Sequence, residues 1–82
     1  MSKYIIVLHK QVEKFLDAHK DVAKRAYPLF SKLATDPTSP DIDTKPLQGL
    51  ENCYRLRIGK YRFLYRVFID KVMIYFYDAG SR

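Results

Sequence analysis

The sequence predicts an α+β fold: an N-terminal strand and two helices, then a three-stranded antiparallel meander, with the helices packed on one face of the sheet. Three observations support this prediction. A short apolar run opens the chain, apolar residues at three- and four-residue steps follow it, and apolar and polar residues alternate through the C-terminal third. With 82 residues, 48% of them hydrophobic, the chain fits a single domain over residues 1–82.

The first element is a strand at residues 3–8, which are mostly β-branched, aromatic or aliphatic and end at the polar His9. This apolar run is too short for a signal peptide and far below the roughly 20 residues that span a bilayer. The single cysteine, Cys53, has no partner for an internal disulfide, which favours a reducing compartment. We therefore expect a cytoplasmic protein with no membrane partner.

Helical periodicity follows the strand, and it divides into two amphipathic helices. The second helix is expected to begin near Asp21 as N-cap and to end at Asp36-Pro37. Pro28 removes one backbone hydrogen bond inside it and predicts a bend. The residues expected to face the core are Val12, Phe15, Leu16 and His19 in the first helix, and Val22, Ala26, Leu29, Phe30 and Leu33 in the second.

Residues 35–51 form the longest stretch without periodicity. They contain three prolines, four acidic residues and Gly49, so the sequence predicts a long irregular connection over the surface. Loops of this length in compact domains are often functional.

Alternation with period two then predicts the meander. Its first two strands are joined by Gly59-Lys60, which has the Gly-X form of a two-residue type II′ turn. The third strand is expected to start at Val72, after Asp70-Lys71. The residues predicted on the apolar face are Tyr54, Leu56, Ile58, Tyr61, Phe63, Tyr65, Val67, Val72, Ile74 and Phe76, and those predicted opposite are Arg55, Arg57, Arg62, Leu64 and Arg66.

The net charge of +6 is concentrated in this meander. Residues 1–51 carry a net charge of +1, whereas residues 52–82 carry +5. Such a local excess indicates a polyanionic partner, either nucleic acid or an acidic protein. The alternative is a basic surface that only keeps the protein soluble.

The turn also fixes which residues face each other. If Ile58 pairs with Tyr61, then Arg57 lies directly opposite Arg62, and like charges held across two strands are unfavourable by up to about 1 kcal/mol. An anion bound on that face would make the closeness of the two charges favourable. Guanidinium groups suit this role because they offer phosphate a planar fork of donors. The alternative is a solvated edge on which arginine stems cover Leu64 and Phe68.

Such a surface supports RNA cleavage without a metal. Attack of a ribose 2′-hydroxyl on its own 3′-phosphate builds negative charge that positioned arginines stabilise. Tyr75 and Tyr77 share the arginine side of the last strand if alternation holds, so they are candidate proton donors, although packing or partner contact is the alternative. His9, His19 and Cys53 are expected to be structural, and their spacing matches no zinc pattern, so no metal or cofactor is expected.

Three segments carry a resemblance to a known family. They read LQGL at residues 47–50, NCYRLRI at residues 52–58 and GKYRFLYRV at residues 59–67, and the chain ends in AGSR at residues 79–82. Together they resemble the core motifs of the RelE/ParE toxin superfamily, over essentially the whole chain. The RelE branch is favoured, which implies a ribosome-dependent mRNA endoribonuclease held in check by an acidic RelB-like antitoxin.

The resemblance also implies site residues. The catalytic set would be Arg55, Arg57, Arg62 and Arg82, of which Arg82 rests on the resemblance alone. Lys45, Lys60 and Arg66 are expected to contact RNA. The sequence departs from the family at two places. A basic residue often precedes the loop glycine in the family, whereas this chain has Gln48 there. The chain also stops at Arg82, before a tail that usually contains a tyrosine. We therefore expect RNA binding to survive better than the cleavage rate. A ParE-like gyrase inhibitor and a non-enzymatic antitoxin-binding module remain the alternatives.

Overall fold

The computed structural model describes residues 3–81 and has two helices against a five-stranded mixed sheet. In chain order the elements are β1 (Ile5–Leu8), α1 (Lys10–Ala18), α2 (Lys20–Thr35), β2 (Thr44–Pro46), β3 (Cys53–Ile58), β4 (Tyr61–Phe68) and β5 (Met73–Ser81). The strand order is β1-β5-β4-β3-β2, with β1 parallel to β5 and the other pairs antiparallel. The predicted α+β class and the meander β3-β4-β5 are confirmed.

One strand was not predicted. β2 lies inside the stretch expected to be irregular, and it pairs with β3 through Thr44 opposite Leu56 and Lys45 opposite Arg55. Three residues are too few to show alternation, and Pro46 is tolerated because β2 is at an edge of the sheet. The side chain of Ile42 is buried just before it, so this connection is anchored to the core.

The helix boundaries are set by two histidines. His9 caps α1, because its Nδ1 accepts a hydrogen bond of 3.0 Å from the backbone N–H of Gln11. His19 ends α1 and precedes α2, which therefore begins at Lys20 rather than after an Asp21 cap. Asp21 lies in the first turn, where its negative charge interacts favourably with the helix dipole. The helix continues without a break through Pro28.

The core lies between the helices and one face of the sheet. Most of the residues predicted to point inward are buried there. Six of them are only partly covered: Phe15, His19, Leu29, Tyr54, Tyr61 and Val72. The Phe30 ring packs against Phe63 and Phe76, with centroid distances of 5.7 Å and 4.3 Å. Both helices therefore cover the same sheet face and leave the other, here called the outer face, without a helix.

Backbone angles define the two turns of the meander. Gly59 has φ +60° and Lys60 is not in the left-handed region, which is the pattern of the predicted type II′ turn. Val72 has φ +50°, a conformation that a strand residue does not adopt, so β5 begins one residue later than predicted, at Met73. Within residues 3–81, neither helix is long and apolar enough to cross a membrane.

Candidate nucleic-acid interface

Three arginines from β3 and β4 meet on the outer face. Arg57 lies directly opposite Arg62, as the turn predicted, and Arg55 lies opposite Leu64. Because cross-strand partners share a face, Arg55, Arg57 and Arg62 form one basic group, which we call the arginine face. Lys45 of β2 adjoins it, since it pairs with Arg55 on the other side of β3.

Each member of the opposed pair has its own carboxylate. Arg57 Nε donates a hydrogen bond of 3.1 Å to Asp43 Oδ2, and Arg62 Nη1 lies 3.6 Å from Asp78 Oδ2. The two arginines face each other as predicted, but their counter-charges were not predicted: Asp43 comes from the residue before β2 and Asp78 from β5. Sequence reasoning missed Asp43 because it precedes the unpredicted β2.

A β-bulge explains why Asp78 was also missed. Leu64 pairs with Asp78, whereas Tyr65 pairs with Phe76, so Tyr77 is an extra residue with no partner in β4. Alternation predicted that Tyr77 shares the arginine side. Pairing with Leu64 instead brings Asp78 to the outer face, and the expected alternation holds only as far as Tyr75, which faces Arg66.

Tyr77 has an unusual environment at the bulge. Burial raises the pKa of its hydroxyl, and the neighbouring Cys53 thiol and Asp78 carboxylate raise it further, whereas Arg66 lowers it. The phenol is therefore neutral at physiological pH and retains its proton. Cys53 itself is buried at the start of β3, as predicted.

Two guanidinium donors of the arginine face are shielded from solvent and have no hydrogen-bond partner within residues 3–81. They are Arg55 Nε and Arg62 Nη1. Both arginines line one open depression of about 600 Å³, together with Leu47, Leu64 and Ser81. An oxyanion seated in this depression would satisfy both donors.

The remaining predicted contact residues lie at the hairpin turn and on β4, and they do not line this depression. Lys60 lies at the hairpin turn with its Nζ 5.6 Å from the centre of the Tyr61 ring. Arg66 is exposed four residues beyond Arg62 on the same strand, and its guanidinium carbon lies 5.0 Å from the centre of the Phe68 ring. The structure thus spreads basic residues along the length of β4. Arg82 lies outside the described residues.

The histidines occupy the structural positions that the sequence predicted. His9 caps α1, and His19 stacks on Phe15 with ring centroids 4.2 Å apart. In the part of the chain that the structure describes, no three His, Cys, Asp or Glu side chains are grouped to hold a metal ion.

Known proteins resemble this chain in sequence and in structure. No family model matches the chain. RelE1 of Methanocaldococcus jannaschii, which is named as a toxin, is 36% identical over 74 residues, covering 88% of this chain and 82% of that protein. The mRNA interferase toxin RelE of Escherichia coli K12 is 36% identical over 56 residues, which is 66% of this chain and 59% of the E. coli protein.

Among solved structures, the archaeal RelE-RelB complex from Pyrococcus horikoshii contains a chain with the same fold. Its TM-score is 0.84 at 28% sequence identity, and the match covers 98% of this chain and 96% of that one. The structural match therefore extends over both helices and all five strands.

Proposed function

Because the chain belongs to the RelE family of toxins, we propose that it is the toxin of a type II toxin–antitoxin system and cleaves messenger RNA on the ribosome. The observation that carries this proposal is a pair of shielded donors around one depression, Arg55 Nε and Arg62 Nη1. Neither makes a hydrogen bond within the described residues, and the Asp78 carboxylate lies 3.6 Å from Arg62 Nη1. Solubility alone does not require such donors, since a solubilising arginine keeps its guanidinium in water.

The proposed chemistry is attack of a ribose 2′-hydroxyl on the adjacent 3′-phosphate. The P–O5′ bond breaks, leaving a 2′,3′-cyclic phosphate on one fragment and a 5′-hydroxyl on the other. Negative charge grows on the equatorial phosphoryl oxygens, and in this proposal Arg55 Nε and Arg62 Nη1 donate hydrogen bonds to them. Preorganised donors of this kind contribute about 10²–10³-fold each to a rate.

The other basic residues hold and orient the RNA. Arg57 extends the arginine face beside Arg62, and Lys45 extends it toward the edge of the sheet. Lys60 and Arg66 lie further along the same strand pair, where they contact neighbouring phosphates, and Arg82 is assigned to the site by the family resemblance. Binding of this type weakens steeply with salt, because each contacted phosphate releases counterions.

The proposed partner is an acidic antitoxin of the RelB type. The net charge of +6 favours an acidic protein, and the P. horikoshii relative was solved bound to RelB. Toxin, antitoxin and ribosome would then meet in the cytoplasm.

Primer extension on mRNA in a translating extract tests the proposal. Wild-type protein should produce breaks in phase with the codons, and Arg62→Ala should not. The alternative is a gyrase poison of the ParE kind, which would leave the mRNA intact and produce double-strand breaks in DNA. That pattern would refute the proposal.

A further inference from the structure

The proposed reaction needs a group that accepts the 2′-hydroxyl proton, and the arginine face does not supply one. A guanidinium stays protonated at every pH at which proteins work, so it donates hydrogen bonds and never accepts them. Within the described residues, the carboxylates bonded or paired to the arginine face are those of Asp43 and Asp78. An acid placed among residues that bind a phosphodiester repels the substrate, so its presence there calls for a separate explanation.

The bulge places Asp78 on the outer face, beside Arg62. Leu64 lies between Asp78 on β5 and Arg55 on β3, so these three residues form one row across the outer face. Asp78 is also the acid paired with Arg62, at 3.6 Å. The charged and titratable groups around it are therefore Arg62 on β4, Arg55 beyond Leu64 on β3, and Tyr77 on its own strand.

From this geometry we infer that Asp78 is the proton acceptor of the cleavage reaction; the inference rests on the proposed function. As the 2′-oxygen forms its bond to phosphorus, the 2′-hydroxyl proton passes to a carboxylate oxygen of Asp78. The P–O5′ bond breaks, the departing 5′-oxygen takes a proton from water, and Asp78 later returns its proton to solvent. Atoms and charges balance, and no metal or redox partner is needed.

Asp43 is the weaker candidate because its carboxylate is already engaged. Arg57 Nε donates a direct hydrogen bond of 3.1 Å to it. The separation of 3.6 Å between Asp78 and Arg62 exceeds ordinary hydrogen-bond length, and the Asp78 side chain is 44% exposed. Its oxygens are therefore open to a substrate hydroxyl. Tyr77 is a poor acceptor because its raised pKa keeps the phenol protonated.

The test compares Asp78→Asn with Asp41→Asn in single-turnover cleavage of mRNA on programmed ribosomes. Asp41 is the matched control, because it is an exposed acid 3.6 Å from Lys32 and lies outside the arginine face. General acid or base groups contribute about 10²–10⁴-fold. We expect Asp78→Asn to cut at least about 100-fold more slowly than wild type, with unchanged or tighter ribosome binding, and Asp41→Asn to match wild type.

A pH profile separates an acceptor from a residue that only holds Arg62 in place. The wild-type rate should fall toward acidic pH as the acceptor takes a proton, and this limb should be absent from the residual activity of Asp78→Asn. Asp78→Glu, which keeps the carboxylate, should recover part of the rate. Both variants should unfold within a few degrees of wild type, since exposed ion pairs are worth at most about 1 kcal/mol.

Two results would overturn the assignment. One is that Asp78→Asn cleaves as fast as wild type, or cleaves more slowly but keeps the acidic limb of the pH profile. The other is loss of cleavage in Asp43→Asn with full activity in Asp78→Asn. If wild-type protein makes no codon-phased breaks, then the proposed function itself is wrong. The wild-type sample alone therefore distinguishes failure of the proposed function from failure of the Asp78 assignment.

Discussion

Replacing Arg62 by alanine should separate the function of this protein from its stability. The Arg62 side chain is 34% exposed, and its ion pair is to a 44% exposed Asp78 at 3.6 Å. Exposed pairs of this kind contribute about 0.2–1 kcal/mol. For a domain of this size 1 kcal/mol shifts Tm by about 4–8 °C, so Arg62→Ala should lower Tm by no more than about 8 °C.

The effect on cleavage should be much larger. Loss of one donor to the transition state lowers a rate by about 10²–10³-fold, or roughly 2.7–4 kcal/mol. The assay is single-turnover cleavage on programmed ribosomes beside thermal unfolding of the same samples. Lys24→Ala is the control, because Lys24 is an exposed basic residue of α2, and the helices cover the opposite face of the sheet. It should change neither quantity appreciably.

The neighbouring residue should behave in the opposite way. Phe63 is 0% exposed and packs against Phe15 and Phe30. Phe63→Ala should therefore lower the free energy of unfolding by about 3–5 kcal/mol. If Arg62→Ala unfolds as readily as Phe63→Ala, or cleaves as fast as wild type, then the assignment of Arg62 to RNA cleavage rather than to folding is wrong.

Three further outcomes are expected. Gly59→Ala should lower the free energy of unfolding by about 1–2 kcal/mol, measured by urea denaturation, because φ at this position is +60°. The added Cβ itself has room, since the nearest atom would be 3.4 Å away. Tyr65 is fully buried, and burial raises its pKa to about 12. Because the unfolded state loses this proton first, the free energy of unfolding should fall by up to about 2.7 kcal/mol between pH 10 and pH 12. Tyr65→Phe should remove that part of the alkaline loss, and an identical pH dependence in the two proteins would disprove it. His9→Ala should lower the free energy of unfolding by about 0.5–2 kcal/mol through loss of the α1 cap, whereas an unchanged value would show that the bond to Gln11 contributes nothing.

Periodicity predicted the parts of the fold in which one face of an element is buried. The helix residues Val12 and Leu16 and the strand residues Leu56 and Phe63 recur at helical and strand spacing, and all four are buried. The Gly59-Lys60 turn then fixed the register that opposes Arg57 and Arg62. Local rules were sufficient here because the signal lies within a few residues of sequence.

The features that sequence could not supply depend on contacts between distant segments. β2 forms only because β3 offers an edge, and the bulge at Tyr77 arises from how β5 aligns with β4. These two features bring Asp43 and Asp78 to the arginines. A basic face with two acids set into it was therefore predicted as a purely basic one, and its candidate proton acceptor was not found.

The central claim is that RNA bound on the arginine face is cut by attack of its own 2′-hydroxyl. The most direct test places a single 2′-deoxyribose at a mapped cleavage position of the mRNA and repeats the ribosome assay. The account predicts that this position is no longer cut, while an unmodified message in the same extract is cut there and yields a 2′,3′-cyclic phosphate. Cleavage at the deoxyribose position at the unmodified rate would contradict it.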